Sequence, residues 1–272
     1  MNIIDGLNKE QVAAVNHIDG PCLVLAGAGS GKTKVLTMRV ANLISNKINS
    51  KNILAITFTN KAAKEMRDRI NNVVGENSAF IGTFHSFGLR IIKENYEILG
   101  LSRNFTILDS DDATSIIKKI LRELDYDPKE YTPGFIKNKI SFIKNEMLSD
   151  SEAEKYLTTP FEKVALKIYF EYQKVLKRNN AVDFDDLLLL PVLLFYTHEE
   201  ILDYYQERYR YILVDEYQDT NEVQYKLIKK LAEKYRNIFV VGDPCQSIYG
   251  FRWSNYKNIL NFESDYPEVN VI

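Results

Sequence analysis

A glycine-rich segment that follows a short apolar run is the feature that most constrains the fold of this chain. The run at residues 22–26 (CLVLA) has the length of a strand, and residues 26–33 read AGAGSGKT. Glycines in such a segment let backbone N–H groups converge on a phosphate, and a helix N-terminus behind them favours the same charge. In this pattern the Lys32 ammonium reaches the β- and γ-phosphates, and the Thr33 hydroxyl ligates Mg²⁺. We therefore predict a strand, a phosphate-binding loop and a helix over residues 32–44.

The loop departs from the strict pattern G-x-x-x-x-G-K-[ST] at one position, where Ala26 replaces the first glycine. A small residue is tolerated there. A glycine-rich turn without function is the alternative, and the strand before the loop and the helix after it argue against that reading. The residues that we expect to contact a nucleotide through this loop are Ala28, Gly29, Ser30, Gly31, Lys32 and Thr33.

A second motif places two adjacent carboxylates at the end of an apolar run. Residues 213–221 read LVDEYQDTN. Asp215 can hold the Mg²⁺ shell, and Glu216 can orient and deprotonate an attacking water. A switch protein lacks such a glutamate, so we expect hydrolysis. Lys32 and Asp215 are far apart in sequence for two motifs on neighbouring strands of one small domain, which indicates an inserted domain.

The order of apolar runs predicts an α/β fold. Runs of strand length separated by helical periodicity are typical of a mostly parallel sheet with helices on both faces. Besides the run before the loop, we predict strands at residues 53–58, 80–83, 210–214 and 237–241, with 270–272 beginning a sixth. We expect Asn60 to be the N-cap of the helix after the second strand.

From Leu89 to Gln206 the periodicity is overwhelmingly helical. The apolar residues of the segment at 116–124 fall on one helix face, with Asp109 or Ser110 as the cap. We therefore predict an all-helical domain at residues 89–205, inserted into a parallel-sheet domain formed by residues 1–88 and 206–272.

Composition excludes several classes of protein. The 272 residues include 35 basic and 37 acidic ones, so the net charge of −2 excludes a strongly basic coating protein. This charge remains compatible with an enzyme that binds nucleic acid by stacking bases on aromatic side chains. Cys22 and Cys245 are predicted to be reduced thiols. No apolar run is long enough to span a membrane, and the start MNIIDGLNKEQ is unlike a signal peptide. We predict a cytoplasmic protein without a membrane partner.

Further motifs carry a resemblance to a known family. Residues 241–252 read VGDPCQSIYGFR. With the phosphate loop and DEYQDT, in this order, the chain resembles the UvrD/PcrA/Rep family of superfamily 1 DNA helicases. Shorter segments are similar to further family motifs. These are LNKEQ at 7–11 (the Q motif), TFTNKAAKEMR at 57–67 (motif Ia), GTFHS at 82–86 (motif Ib) and DFDDLL at 183–188.

The resemblance implies a RecA-like ATP-binding domain 1A carrying a helical domain 1B. It implies ATP and Mg²⁺ as cofactors, with Lys32, Glu216 and Gln246 as catalytic residues. Gln246 would contact both the γ-phosphate and the catalytic water. Gln11 would read the adenine edge, and Lys34 stands where the family often has arginine against the adenine.

The resemblance also implies 3′-to-5′ translocation on single-stranded DNA and the use of 3′-tailed duplexes. Tyr249 and Phe251 would stack on bases, and aromatic residues beside a phosphate-sensing glutamine would couple hydrolysis to stacking. Phe58 and His85 would contact DNA as well, although Phe58 could instead pack in the core and His85 could instead cap a helix. Trp253 departs from the family, which usually has a small residue there. The implied DNA-binding residues are Phe58, Asn60, Thr83, His85, Tyr249, Phe251, Arg252 and Trp253.

The sequence ends where the family continues into domains 2A and 2B. Those domains supply the arginine fingers and the other half of the ATP cleft, so we expect the N-terminal half of a longer helicase of DNA repair or replication. The motor of an AddA-like helicase–nuclease is an alternative. A third possibility, for the isolated piece, is a module that binds nucleotide and DNA with little turnover.

Overall fold

The computed structural model describes residues 3–27, 29–243 and 257–272, with Lys257 described by its backbone alone. Two compact units make up the chain, one formed by Met1–Phe87 with Phe195–Ile272 and the other by Gly88–Leu194. In chain order the elements are α1 (Lys9–Asn16), β1 (Cys22–Leu25), α2 (Lys32–Ser45), β2 (Ile53–Thr57), α3 (Asn60–Val74), β3 (Phe80–Thr83), α4 (Phe84–Glu94), β4 (Thr106–Ile107), α5 (Ser110–Glu123), α6 (Pro133–Asn145), α7 (Asp150–Tyr156), α8 (Pro160–Arg178), β5 (Ala181–Val182), α9 (Asp186–Thr197), α10 (Glu199–Arg208), β6 (Tyr211–Val214), α11 (Glu222–Ala232), β7 (Asn237–Gly242), α12 (Lys257–Leu260), α13 (Phe262–Asp265) and β8 (Asn270–Val271).

A six-stranded parallel sheet organises the first unit. Its strand order is β3-β2-β6-β7-β1-β8, and every paired strand runs parallel to its neighbour. All five residues of β2 are buried, because helices cover both faces of such a sheet. The predicted α/β fold class is confirmed, and each predicted strand is present.

The strand order corrects one expectation from the sequence. We assumed that the strand before the phosphate loop and the strand before Asp215 are neighbours, whereas β7 lies between β1 and β6. The register aligns Val24 of β1 with Val241 of β7, and Val214 of β6 with Val240 of β7. The end of β7 therefore reaches the same edge of the sheet, between the two motifs.

The second unit is helical apart from one short strand pair. Its α5, α6 and α8 enclose a core of aliphatic residues with Tyr172. The parallel pair of β4 and β5 contains two residues in each strand, which is too few to show a period in the sequence. Among the described residues, no helix is both long and apolar enough to cross a membrane.

The structure divides the chain at Phe195, earlier than the boundary at residue 206 expected from the sequence. The reason is the packing of α10. The Asn52 side chain donates to the carbonyls of Glu207 (3.3 Å) and Arg208 (3.0 Å), and Gln206 Nε2 donates to the Lys230 carbonyl at 2.7 Å. These contacts tie α10 to the sheet-containing unit, although its periodicity is that of the preceding helices.

Two helix caps show how far local sequence determines a boundary. Asp109 is the N-cap of α5, one of the two expected candidates, and its carboxylate accepts from the backbone N–H groups of Asp111 and Asp112. The cap expected at Asn60 is wrong. Thr59 is the N-cap of α3, and its hydroxyl accepts from Ala62 N at 3.1 Å. Both residue types cap well, so the path of the chain after β2 decides between them.

A buried ion cluster stabilises the second unit. The Lys144 ammonium, with no exposed side-chain surface, lies 2.7 Å from Asp183 Oδ2 and 2.8 Å from Asp186 Oδ1. Burial raises the pKa of Asp186 to about 6, against the opposing charge of Lys144. Burial acts in the same direction on Asp183, but the charge of Lys144 and its hydrogen bond outweigh it, and the pKa of Asp183 is lowered. One ammonium thus provides the counter-charge for two buried carboxylates.

Replacing Lys144 should therefore destabilise this unit strongly. Lys144→Met leaves two buried carboxylates without a counter-charge, and we expect a loss of about 3–5 kcal/mol in the free energy of unfolding. Urea denaturation followed by circular dichroism measures it. Lys174→Met is the matched control, because the pair of Lys174 with Glu171 is exposed to solvent and is worth less than about 1 kcal/mol. Equal losses in both variants would contradict the role of the cluster.

Candidate functional site

The phosphate loop leaves β1 and enters α2 through two glycines in the left-handed region. The φ angles are +74° at Gly29 and +85° at Gly31, and Gly31 is the N-cap of α2. A residue with a side chain rarely adopts this backbone conformation. The glycines therefore allow the turn that presents the first N–H groups of α2, which need partners outside the helix, at the carboxyl edge of the sheet.

Lys32 stands at the first position of α2 and its side chain is directed back along the loop. Its ammonium donates to the carbonyls of Ala26 (3.1 Å) and Gly27 (3.3 Å) and lies 3.8 Å from Asp243 Oδ2. Both Lys32 and Asp243 are buried. Asp243 follows β7 directly and was not among the residues singled out from the sequence. Its position at the end of an apolar strand, within GDPCQ, was the available signal.

Thr33 joins the loop to the acidic motif. Its hydroxyl donates to Asp215 Oδ2 at 3.0 Å. Asp215 is held by its backbone N–H, which donates to the Ile56 carbonyl of β2. Burial, followed by the charge of Glu216, raises the pKa of Asp215 to about 6, while the Thr33 hydroxyl acts in the opposite direction. A hydroxyl and a carboxylate oxygen side by side are the ligand types that suit Mg²⁺. The pair predicted to hold Mg²⁺ is thus brought together.

Glu216 adopts an unusual backbone conformation. Its φ of 48° and ψ of 46° place it in the left-handed region, which costs a non-glycine residue on the order of 1–3 kcal/mol. Its N–H donates to Asp215 Oδ1 at 3.1 Å, and its carboxylate accepts from Gln218 Nε2 at 2.7 Å. The turn after β6 therefore directs the two adjacent carboxylates differently, Asp215 to Thr33 and Glu216 to Gln218.

Gln11 contacts the phosphate loop from the N-terminal segment. Its Nε2 donates to the Ser30 carbonyl at 2.8 Å, and its Oε1 accepts from Asn8 N in a capping box of α1. The structure thus brings Gln11 to the loop across 19 residues of sequence. Lys34 also contacts the N-terminal segment, because its ammonium donates to the Gly6 carbonyl at 2.8 Å.

Two of the candidate DNA-binding residues follow β2. Phe58 is half-buried, and its ring meets that of Phe84 edge-on at 5.5 Å between centroids. This contact matches the packing alternative for Phe58, while part of the ring remains accessible. Asn60 is exposed in the first turn of α3.

The other two described candidates are the last residue of β3, the neighbour of β2, and a residue of the helix that follows it. Thr83 is buried, and its hydroxyl accepts from Ser86 N at 3.1 Å. In return, the Ser86 hydroxyl accepts from Thr83 N at 2.9 Å. His85 is half-buried in the first turn of α4. Since Thr57 aligns with Thr83 in the register of the two strands, the segments after both strands lie at one edge of the sheet.

Several predicted site residues lie outside the described residues. One is a candidate of the phosphate loop, one is the candidate catalytic glutamine, and four are candidate DNA contacts. They are Ala28, Gln246, Tyr249, Phe251, Arg252 and Trp253.

The phosphate loop follows β1, and its Thr33 is hydrogen-bonded to Asp215 at the end of β6. The strand β7 lies between β1 and β6. This arrangement is typical of the RecA-like class of P-loop nucleotide-binding folds. The sequence model described as the UvrD/REP helicase N-terminal domain matches residues 7–267. The chain belongs to this helicase family.

Curated relatives are similar over almost the whole chain. Proteins named ATP-dependent DNA helicase PcrA from Staphylococcus aureus (strain Mu50) and Bacillus subtilis (strain 168) are 46% and 47% identical to it over 273 aligned residues. The alignments cover 99% of this chain and 37% of each relative. The chain thus spans little more than a third of the length of these relatives.

Removal of the Lys32 ammonium tests the loop. Lys32→Ala should weaken binding of a non-hydrolysable analogue of the predicted ligand ATP, with Mg²⁺, because a charge-assisted contact worth about 1.5–3 kcal/mol is lost. That corresponds to roughly 10- to 150-fold in Kd, measured by calorimetry. Lys226→Ala, which removes an ammonium paired with Glu222 on α11, is the control. Equal affinity for the Lys32 variant and the unmodified chain would refute the assignment.

Proposed function

We propose that this chain is the ATP-binding part of a DNA helicase that moves 3′ to 5′ along single-stranded DNA in DNA repair or replication. The observation that carries the proposal is the hydrogen bond of Thr33 to Asp215, with Glu216 beside it, in a chain of the UvrD/REP family. The names of the curated relatives support ATP and DNA as the substrates.

Nucleotide binding rests on the loop and the N-terminus of α2. Backbone N–H groups of Gly29, Ser30 and Gly31 would surround the phosphates, and Lys32 would exchange its carbonyl partners for phosphate oxygens. Thr33 and Asp215 would hold Mg²⁺, which when bound neutralises phosphate charge.

Hydrolysis needs a base beside the phosphates. Glu216 is half-buried, and its carboxylate accepts from Gln218, whereas the Asp215 carboxylate accepts from Thr33. It is therefore available to accept a proton from a water molecule while Asp215 serves the metal. The separate partners of these adjacent carboxylates support their separate roles.

Coupling to DNA follows from the order of strands. Asp215 N donates to the Ile56 carbonyl, and Phe58 follows Ile56 by two residues. A movement of the acidic motif would therefore reach the segment of Phe58 and Asn60 through one hydrogen bond. Four residues would form the part of the DNA path that lies on this unit, because they lie at or just after the ends of neighbouring strands. They are Phe58, Asn60, Thr83 and His85.

Turnover should require more than the residues of this chain. Arginine residues that stabilise the transition state of phosphoryl transfer contribute roughly 10³- to 10⁵-fold in rate. The family resemblance assigns them to domains 2A and 2B, and the relatives are long enough to include such domains. We expect residues 1–272 alone to bind nucleotide and DNA with little turnover, so activity is best tested in the full-length polypeptide.

Loss of the Glu216 carboxylate should separate binding from hydrolysis. In the full-length polypeptide, Glu216→Gln should lower DNA-stimulated phosphate release by roughly 10²- to 10⁴-fold, because the general base is lost. Nucleotide affinity should persist, because the Thr33–Asp215 pair is intact. Glu233→Gln, which alters an exposed pair with Lys230, is the control. Retained turnover in the Glu216 variant would remove it from the mechanism.

The direction of movement is tested with tailed duplexes. The full-length polypeptide should unwind a duplex with a 3′ single-stranded tail in the presence of ATP and Mg²⁺, and it should fail on the same duplex with a 5′ tail. Strand displacement on a native gel measures both. A preference for the 5′ tail would overturn the proposed direction while leaving the ATP site untouched.

A further inference from the structure

A buried glutamine connects the proposed base to the strand that lies between the two nucleotide motifs. Gln218 lies in the turn after β6, and its side chain is fully buried. Its Nε2 donates to Glu216 Oε2 at 2.7 Å, and its Oε1 accepts from Asp243 N at 3.0 Å. One amide group therefore bridges the end of β6 and the end of β7.

The orientation of this amide is determined by its partners. A backbone N–H can only donate and an ionised carboxylate can only accept, so Oε1 must face Asp243 and Nε2 must face Glu216. With the amide reversed, both hydrogen bonds would be lost. Gln218 is thus a donor held in a set position, and its nearer acceptor is Glu216 Oε2, while Asp219 Oδ2 lies at 3.5 Å.

The Gln218 side chain packs against Gly242, the last residue of β7. A Cβ atom at Gly242 would lie 2.9 Å from Gln218 Oε1 and 2.7 Å from Ile259 Cδ1. Such distances are shorter than van der Waals contact, so a larger residue at Gly242 would displace Gln218 or Ile259. Glycine at position 242 therefore leaves the space that the Gln218 side chain occupies.

We propose that Gln218 is a positioning residue for ATP hydrolysis, which holds the Glu216 carboxylate in the orientation that accepts a proton from water. The inference rests on the proposed function, in which Glu216 is the base. By binding Oε2, Gln218 limits rotation of a carboxylate whose backbone is already in the left-handed region. Among the described residues, Oε1 of Glu216 has no hydrogen-bond partner, so this oxygen remains available for the water.

The same bridge relates Glu216 to Lys32. Asp243, whose N–H binds Gln218, also places its carboxylate 3.8 Å from the Lys32 ammonium. A shift of Lys32 towards phosphate would alter its interaction with Asp243, and the hydrogen bond to Gln218 would carry a displacement of Asp243 to Glu216. Gln218 would thereby make the position of the base depend on the occupancy of the phosphate loop.

The test replaces the amide in the full-length polypeptide. Gln218→Met should lower kcat for DNA-stimulated ATP hydrolysis by roughly 10- to 100-fold, the range found when a supporting partner is removed or a reacting group is misplaced. The Kd of the nucleotide should change little. Gln206→Met is the matched control, because Gln206 is also buried and donates one hydrogen bond, to the Lys230 carbonyl.

Gln218→Glu is a second variant that keeps the size of the side chain. It retains an acceptor for Asp243 N but replaces the donor that faces Glu216 by a carboxylate oxygen. The proposal requires kcat to fall in this variant as well. Retained activity in Gln218→Glu would overturn the proposal, because the donor that faces Glu216 is absent from this variant.

A double-mutant cycle separates this inference from the proposed function. If Gln218 acts through Glu216, adding Gln218→Met to Glu216→Gln should lower single-turnover hydrolysis little further. A full additional loss would show that Gln218 acts independently of Glu216. Retained hydrolysis in Glu216→Gln alone would instead refute the proposed base. A loss in that variant with unaltered kcat in Gln218→Met would refute the positioning role alone.

Discussion

The hydrogen bond from the Thr33 hydroxyl to the Asp215 carboxylate joins two segments that are 182 residues apart in sequence. It forms because parallel strands end at the same edge of a sheet, so that the loop after β1 and the turn after β6 meet there. The same constraint brings Asp243 to Lys32 from the end of β7 and places the segments after β2 and β3 at the same edge of the sheet. Among the described candidates, Lys32, Thr33, Asp215 and Glu216 come together at this common edge because each follows a strand of the sheet.

The chain contains two sets of buried charged side chains that differ in how their charges are compensated, one around Lys144 and the other around Asp215. In the helical unit Lys144 contacts both Asp183 and Asp186 directly, which satisfies buried charges within the protein. At the candidate site the described hydrogen-bond partners of the Asp215 carboxylate are one hydroxyl and one backbone N–H, neither of which carries a charge. A carboxylate that is buried with so little compensation suits a metal ion better than it suits stability. The contrast supports a structural role for the first system and a functional one for the second.

The sequence predicted most of the fold because the relevant signals are local. Apolar runs of strand length and helical periodicity identified the strands of the main sheet and the inserted helical segment. Expectations failed where tertiary packing chooses between equivalent local options. Thr59 and Asn60 can both cap a helix, and α10 resembles the helices before it until its contacts with Asn52 and Lys230 are known. The pair of β4 and β5 is too short for any pattern.

The sequence by itself determined the chemistry of the loop, since residues 26–33 are contiguous and glycine makes their turn possible wherever they occur. It also determined the identities of Asp215 and Glu216 as adjacent carboxylates after a strand. Only the tertiary structure decided what these groups contact. The position of β7 between β1 and β6 brings the ends of distant strands together, and Gln218 joins Glu216 to Asp243, which is 25 positions from Gln218. Such contacts follow from sheet order and packing, which no local pattern of residues records.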